Sequence, residues 1–181
     1  MTGIDIRVLP VAEAPARLAE LAAILVDAVA HGASVNFLAG FTLDQGVAFW
    51  RAQLPALAAG EKRLLVAEEG PALRGTVLLS FAPQPNAPHR GEIGKMLVLA
   101  SHRRRGLGRR LLGAAEAEAR AAGRTLLLLD TEEGSAGESL YRACGWVKIG
   151  AVPGHALRPD GRLAATSLFY KTLAPGGASH I

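Results

Sequence analysis

The sequence predicts a mixed α/β domain, on three observations. Strand-like and helix-like stretches alternate along the chain. One helical stretch, Leu107 to Ala122, separates two strand candidates, as a crossover connection does. The strand after it, Thr125 to Leu129, is nearly all leucine, the composition of a central parallel strand buried on both faces. The chain has 181 residues, of which 50% are apolar and 20% charged, enough for one domain with a substantial core.

The elements follow in order. Ile4 to Leu9 alternates apolar and polar residues and reads as a first strand. From Ala14 to about Ala30, Leu18, Leu21, Ala22, Leu25 and Val29 recur at helical spacing, and Gly32 ends the helix. Ala33 to Gly40 is a connecting loop with exposed apolar side chains. Thr42 with Gln45 forms a capping box for a second helix, about Leu43 to Ala58. Arg63–Glu69 and Leu73–Phe81 form a hairpin across Gly70-Pro71, and Pro83 to Pro88 is a loop. Glu92 to Leu99 is a fourth strand, with Gly94 marking a bulge or a close approach. In the third helix Leu107, Leu111, Ala115, Ala119 and Ala122 line one face, and Gly123 caps it. Ser135 to Glu138 is a second capping box, opening a short helix that Gly145 ends. Trp146–Val152 and Leu163–Thr172 are final strands joined by a Pro/Gly-rich linker, Pro153 to Arg162. Residues 1–173 thus form one domain, and the tail Ala174 to Ile181 is expected to be disordered.

The function lies first in the turn before the third helix. His102 to Arg110 packs five arginines and two glycines into nine residues. Strand, glycine-rich basic turn and helix together bind phosphate: glycine lets the backbone approach, the helix start offers free N–H groups, and arginine adds charge-assisted hydrogen bonds. No Gly-Lys-Ser/Thr follows, so this is not a Walker loop, and the late strand weakens a dinucleotide fingerprint without excluding it, since Asp130 ends the next strand. The net charge of +4 is concentrated at this turn without interleaved aromatics, so a small phosphorylated ligand is expected rather than nucleic acid. No apolar run approaches the ~20 residues of a membrane span. The lone Cys144 excludes an internal disulfide, no signal segment is visible and a cytoplasmic location is expected. The five histidines are scattered and no metal is expected.

The turn reads Arg103-x-x-Gly106-x-Gly108, and Leu140-Tyr141-Arg142-Ala143-Cys144-Gly145-Trp146 follows about thirty residues on. On this pair of motifs the chain resembles the GNAT superfamily of N-acetyltransferases from about Ile4 to Leu173. Within it, Gly32–Phe37, Gly91–Val98 and Leu129–Ser135 are similar to the tabtoxin-resistance type. The resemblance implies an α/β (α+β) GNAT fold: about seven strands, mostly antiparallel, a splayed parallel pair of strands four and five, and about four flanking helices. It implies acetyl-CoA as co-substrate, a small-molecule amine as acceptor, toxins and antibiotic-like amino acids among the candidates, and leaves a homodimer open. Two positions depart from the family: Gly134 and Gly137 stand where Asn and Ala are common.

Direct acetyl transfer makes four demands. The pyrophosphate needs a cradle, which the resemblance assigns to Arg103, Arg104, Arg105, Gly106, Leu107, Gly108 and Arg109. The thioester carbonyl needs a backbone donor on the fourth strand, at Met96, Leu97 or Val98, and Ser135 is a further candidate cofactor contact. An alkyl ammonium with a pKa near 10 must lose a proton, and Glu92 and Asp130 are the candidate bases, with His31 and His102 as alternatives. Tyr141 is the candidate acid for the departing thiolate and also a candidate cofactor contact. Asn36 and Phe37, together with Glu92 and Asp130, are expected at the acceptor, and Trp50 and the Pro153–Arg162 segment are weaker candidates. Three alternatives stay open: a non-catalytic acyl-CoA-binding module, an acetyltransferase of protein or peptide amines, and a nucleic-acid-binding protein.

Overall fold

The computed structural model describes residues 3–174, so all but the first residue of the proposed tail lies outside the described residues. Seven strands form one sheet in the order β1-β2-β3-β4-β5-β7-β6. They are β1 (Asp5–Val8), β2 (Lys62–Glu69), β3 (Ala72–Phe81), β4 (Arg90–Val98), β5 (Leu126–Glu132), β6 (Val147–Leu157) and β7 (Leu163–Thr172). Helices α1 (Leu18–Ala30), α2 (Leu43–Ala58), α3 (Leu107–Ala121) and α4 (Ala136–Ala143) flank it. Every neighbouring pair is antiparallel except β4 and β5, which the α3 crossover makes parallel. The predicted seven strands, four helices and parallel pair are all present.

Two hydrophobic layers follow from the amphipathic faces. Leu111, Leu112, Ala115 and Ala119 of α3 pack with Leu65, Val77, Ile93, Leu127 and Phe169 on one sheet face. Leu21, Ile24, Leu25 and Ala28 of α1, with Trp50 and Leu57 of α2, pack with Leu64, Val66, Leu78 and Leu97 on the other. Trp50 is therefore a core residue, not an acceptor-site one. Gly75 is needed where α3 crosses the sheet: a Cβ there would lie 2.8 Å from the Leu97 carbonyl and 2.9 Å from Leu111 Cδ1.

Three local expectations are corrected. The first helix begins as a 3-10 turn, Ala14–Arg17, with Pro15 in its first turn, and becomes α-helical only at Leu18. The Pro153–Arg162 linker is largely strand: β6 runs to Leu157 and pairs with β7 through an irregularity between Val152 and Ala156. Pro153 falls in that irregular stretch, where a missing N–H disturbs no ladder bond. The second capping box is only half formed. Ser135 Oγ accepts from the Glu138 amide at 3.1 Å, but Glu138 Oε2 accepts from the Gly134 amide at 2.6 Å instead of from Ser135.

Glu138 is buried and also meets Arg142 at 2.8 Å and Lys148 at 3.3 Å. The Gly134 amide foremost, then these two cations, lower its carboxyl to about pH 2. A depressed acid stabilises the fold above its unfolded pKa, ~4.5, and loses that contribution as pH falls through the folded value. Glu138→Gln should therefore cost roughly 1–3 kcal/mol at neutral pH. Urea melts between pH 7 and pH 2 should show the variant losing less stability on acidification than the parent.

Candidate active site

β4 and β5 pair only at Arg90↔Leu126, Gly91↔Leu127 and Glu92↔Leu128. Beyond Glu92 they part, while β4 stays on β3 and β5 stays on β7. The far half of β4 thus presents backbone to an open wedge. Just past the divergence β4 carries a bulge: Leu78 faces Gly94 and Thr76 faces Leu97, so Lys95 and Met96 together oppose Val77. Such an extra residue leaves ladder groups unpaired. The strained position is Lys95, at φ 46°, braced by Thr76 Oγ1 donating to its carbonyl at 2.9 Å. Gly94 marks the bulge as expected, but no backbone approaches it closely.

At the mouth of the wedge lies the arginine–glycine turn. Gly106 is the N-cap of α3 at φ 77°, and no side chain caps that helix. Arg110 is the first amide with an internal partner, the Gly106 carbonyl at 3.2 Å, so the amides of Leu107, Gly108 and Arg109 are free to receive an anion. Gly108 is close-packed: a Cβ would lie 3.1 Å from Leu140 Cδ2 and 3.6 Å from Met96 Cε. The arginines divide their labour. Arg103 Nε donates to the Val98 carbonyl at 3.0 Å and Arg110 to the Ile4 carbonyl at 2.7 Å, so both brace the turn. Arg104, Arg105 and Arg109 are exposed and have no ion pair among the described residues.

The turn is tied to α1 and to the β2–β3 hairpin. Asp27 Oδ2 accepts from the Ala100 amide at 2.9 Å. His102 is within 3.3 Å of Glu69 and 2.8 Å of Ser101 Oγ, and His31 Nδ1 lies 2.8 Å from the Asp27 carbonyl. Both histidines are thereby occupied in holding local structure.

The titratable candidates divide between the two sheet faces. Ile93 and Leu129 point into the α3 layer, so Glu92 and Asp130, one residue along each strand, lie on the opposite face, beside α1 and α2. Both are exposed. Tyr141 is buried in the α3 layer, 6.0 Å from the Trp146 ring and 6.2 Å from Phe169. Burial, and then the Asp130 charge, push its phenol well above the usual tyrosine range, so it keeps its proton. Trp146 is seated by its indole N–H donating to the buried Glu116 at 3.0 Å, which Lys171 neutralises at 2.8 Å.

Ser135 serves as the α4 N-cap, its Oγ 3.2 Å from Thr131 Oγ1. Of the two departures, Gly137 alone has a steric reason. Gly134 sits at φ 74°, a region that Gly and Asn both tolerate. A Cβ on Gly137 would come within 3.0 Å of Thr131 Oγ1.

On the α1–α2 face of the sheet, Phe37 packs on Phe41 at 4.1 Å and meets Phe49 edge-on at 5.5 Å. Asn36 is exposed at φ 73° and turns the loop. A cleft of about 490 Å³ opens beside them, lined by Val29, Phe41, Glu132, Arg158, Asp160 and Arg162 among others. Neither Glu92 nor Asp130 lines it. The α1–α2 loop lines one side of it and is tied to the β6–β7 hairpin by the Ala39 amide donating to the Pro159 carbonyl at 2.8 Å, while Arg158 of that hairpin pairs with Glu132 at 2.6 Å. Lys95, Phe41 and Phe49 were not among the sequence candidates, and Arg158 entered only within the Pro153–Arg162 segment. Only Lys95 left a signal, as a charge beside Gly94 in the strand that also carries Glu92.

A parted parallel strand pair with an anion-receptive helix start at its mouth defines a class of acyl-transfer fold. The family described as Acetyltransferase (GNAT) family matches residues 36–146, and the chain belongs to it. Among solved structures, an N-acetyltransferase from Staphylococcus aureus Mu50 is 20% identical, with a TM-score of 0.78 over 95% of this chain and 99% of that one. The yncA protein of Salmonella typhimurium, with its cofactor acetyl-CoA, is 22% identical, with a TM-score of 0.75 over 98% of each chain. A ribosomal-protein-alanine N-acetyltransferase from Brucella melitensis is 26% identical, with a TM-score of 0.70 over 93% of this chain and 99% of that one.

Asp27→Ala removes the acceptor for the Ala100 amide. Hydrogen exchange at residues 100–106 should accelerate, with a global stability loss of about 1 kcal/mol. Unchanged exchange there would show that α1 does not brace the turn.

Proposed function

We propose that this protein transfers the acetyl group of acetyl-CoA to the primary amine of a small molecule. The observation that carries the reading is the parted β4–β5 wedge, with Glu92 and Asp130 on one sheet face and Tyr141 on the other. That arrangement suits a thioester between a base and an acid. The close-packed Gly108 and the uncapped α3 start fit a diphosphate: the amides of Leu107, Gly108 and Arg109 would hold it, with Arg104, Arg105 and Arg109 adding charge.

Acetyl-CoA, when bound, supplies the electrophilic thioester and the thiol leaving group. The β4 backbone past its parting from β5, at Met96, Leu97 or Val98, would donate to the thioester oxygen. Glu92 or Asp130 takes the proton from the acceptor ammonium at a carboxylate oxygen, directly or through one water. Tyr141 holds its proton at Oη on the far side of the wedge, available to the departing sulfur.

The bonds between the α1–α2 loop and the β6–β7 hairpin narrow the acceptor side, which favours a small acceptor over a folded protein. A peptide amine is the second reading, on the likeness to the Brucella enzyme. The tabtoxin-resistance resemblance narrows the first reading to toxin or antibiotic-like amino acids. A cytoplasmic location follows from dependence on acetyl-CoA.

Calorimetry with acetyl-CoA should show binding that Gly106→Trp weakens at least ~10-fold. Arg104→Ala and Arg109→Ala should produce smaller, salt-sensitive losses. A panel of amines followed by free CoA thiol should contain acceptors, and the variant of whichever carboxylate is the base, Glu92→Gln or Asp130→Asn, should lower kcat by ~10²–10⁴. Failure to bind acetyl-CoA overturns the reading, and full activity in both variants overturns the assigned bases. Tyr141→Phe should lower kcat by about 10–100-fold while leaving the acetyl-CoA affinity within about threefold.

A further inference from the structure

The acceptor face holds a cation, Lys95, in an unusual backbone position. Lys95 is the strained residue of the β4 bulge, at φ 46°. Glycine or asparagine occupies that backbone region with less strain, so the lysine side chain is the reason for a lysine there. Its Nζ lies 5.3 Å from the Phe49 ring centroid and 5.9 Å from that of Phe37. The rings stabilise the cation without neutralising it. It has no hydrogen bond or ion pair among the described residues, and burial holds its ammonium below the usual lysine range. The charged groups that act on it are Asp130, Lys62 and Glu92.

These charges make the acceptor face unequal along its length. Asp130 and Glu92 attract one ammonium. Next to them a fixed, partly buried cation stands with no counter-charge in contact. A buried charge without a partner is costly, and a ligand can supply the partner. Resting on the acetyltransferase reading above, we propose that Lys95 is a specificity-determining residue that reads the charge borne elsewhere on the acceptor. It favours an amine that also carries an anionic group, and it rejects an amine that carries a second cation. The Phe37 and Phe49 rings would pack on the carbon chain between the two ends.

The test uses matched acceptors with two to six carbons: ω-amino acids, plain alkylamines and α,ω-diamines, each followed by CoA release. The wild-type kcat/KM should fall from amino acid to alkylamine to diamine by at least ~10-fold overall, because opposed unit charges ~5 Å apart in a partly buried site differ by more than that. Lys95→Met, equally strained and similar in length, should level the series, with the change in KM. Lys95→Arg should restore the order. Acetyl-CoA affinity should match the wild type in both variants. An equal loss on all three acceptor classes in Lys95→Met would overturn the proposal and leave the acetyltransferase reading standing. Acetylation of no amine at all would overturn both.

Discussion

The structure depends on the parting of β4 from β5 after three residue pairs. Two parallel strands that begin as neighbours separate because each is held by a stronger partner on its other side. β3 holds β4 through the bulge at Lys95–Met96, and β7 holds β5 over its whole length. Backbone that would be paired in a continuous sheet is left facing a wedge. Such backbone must be paired by something, and a ligand with its own hydrogen-bonding groups is the fold's answer. The site is therefore a consequence of the sheet and not an addition to it.

The surroundings of the wedge are correspondingly rigid. α3 approaches the sheet closely at Gly75, and its first turn packs against Leu140 and Met96 at Gly108. Asp27, Arg103 and His102 fasten the turn before it to three separate elements. An anion site made of amides works only if those amides converge before the ligand arrives, and these contacts supply that preorganisation. Two of the five arginines are spent on it, Arg103 and Arg110, whereas Arg104, Arg105 and Arg109 stay exposed.

Charge is sorted by the sheet as well. Strand alternation sends Glu92 and Asp130 toward α1 and α2 and leaves Tyr141 in the opposite layer. The same sheet thus separates two exposed carboxylates from a phenol that keeps its proton.

Much of this was legible in the chain. Periodicity located the seven strands and four helices, because apolar faces must be buried at the period of their backbone. Glycines and caps marked most ends, because positive φ and free helix amides demand particular residues. The paired motifs around Gly106 and Tyr141 pointed to the ligand class. What the chain could not show was geometry that depends on partners distant in sequence. Arg103 and Arg104 look alike in sequence, and only the positions of Val98 and Asp27 make the first a brace. Trp50 looks like a pocket residue until α1 covers it. The Pro153–Arg162 segment looks like a linker until β7 supplies its ladder. Lys95 gains meaning only when Phe37, Phe49 and Asp130 are brought to it from three other segments, since local sequence encodes conformation whereas burial and charge environment are properties of the assembled fold.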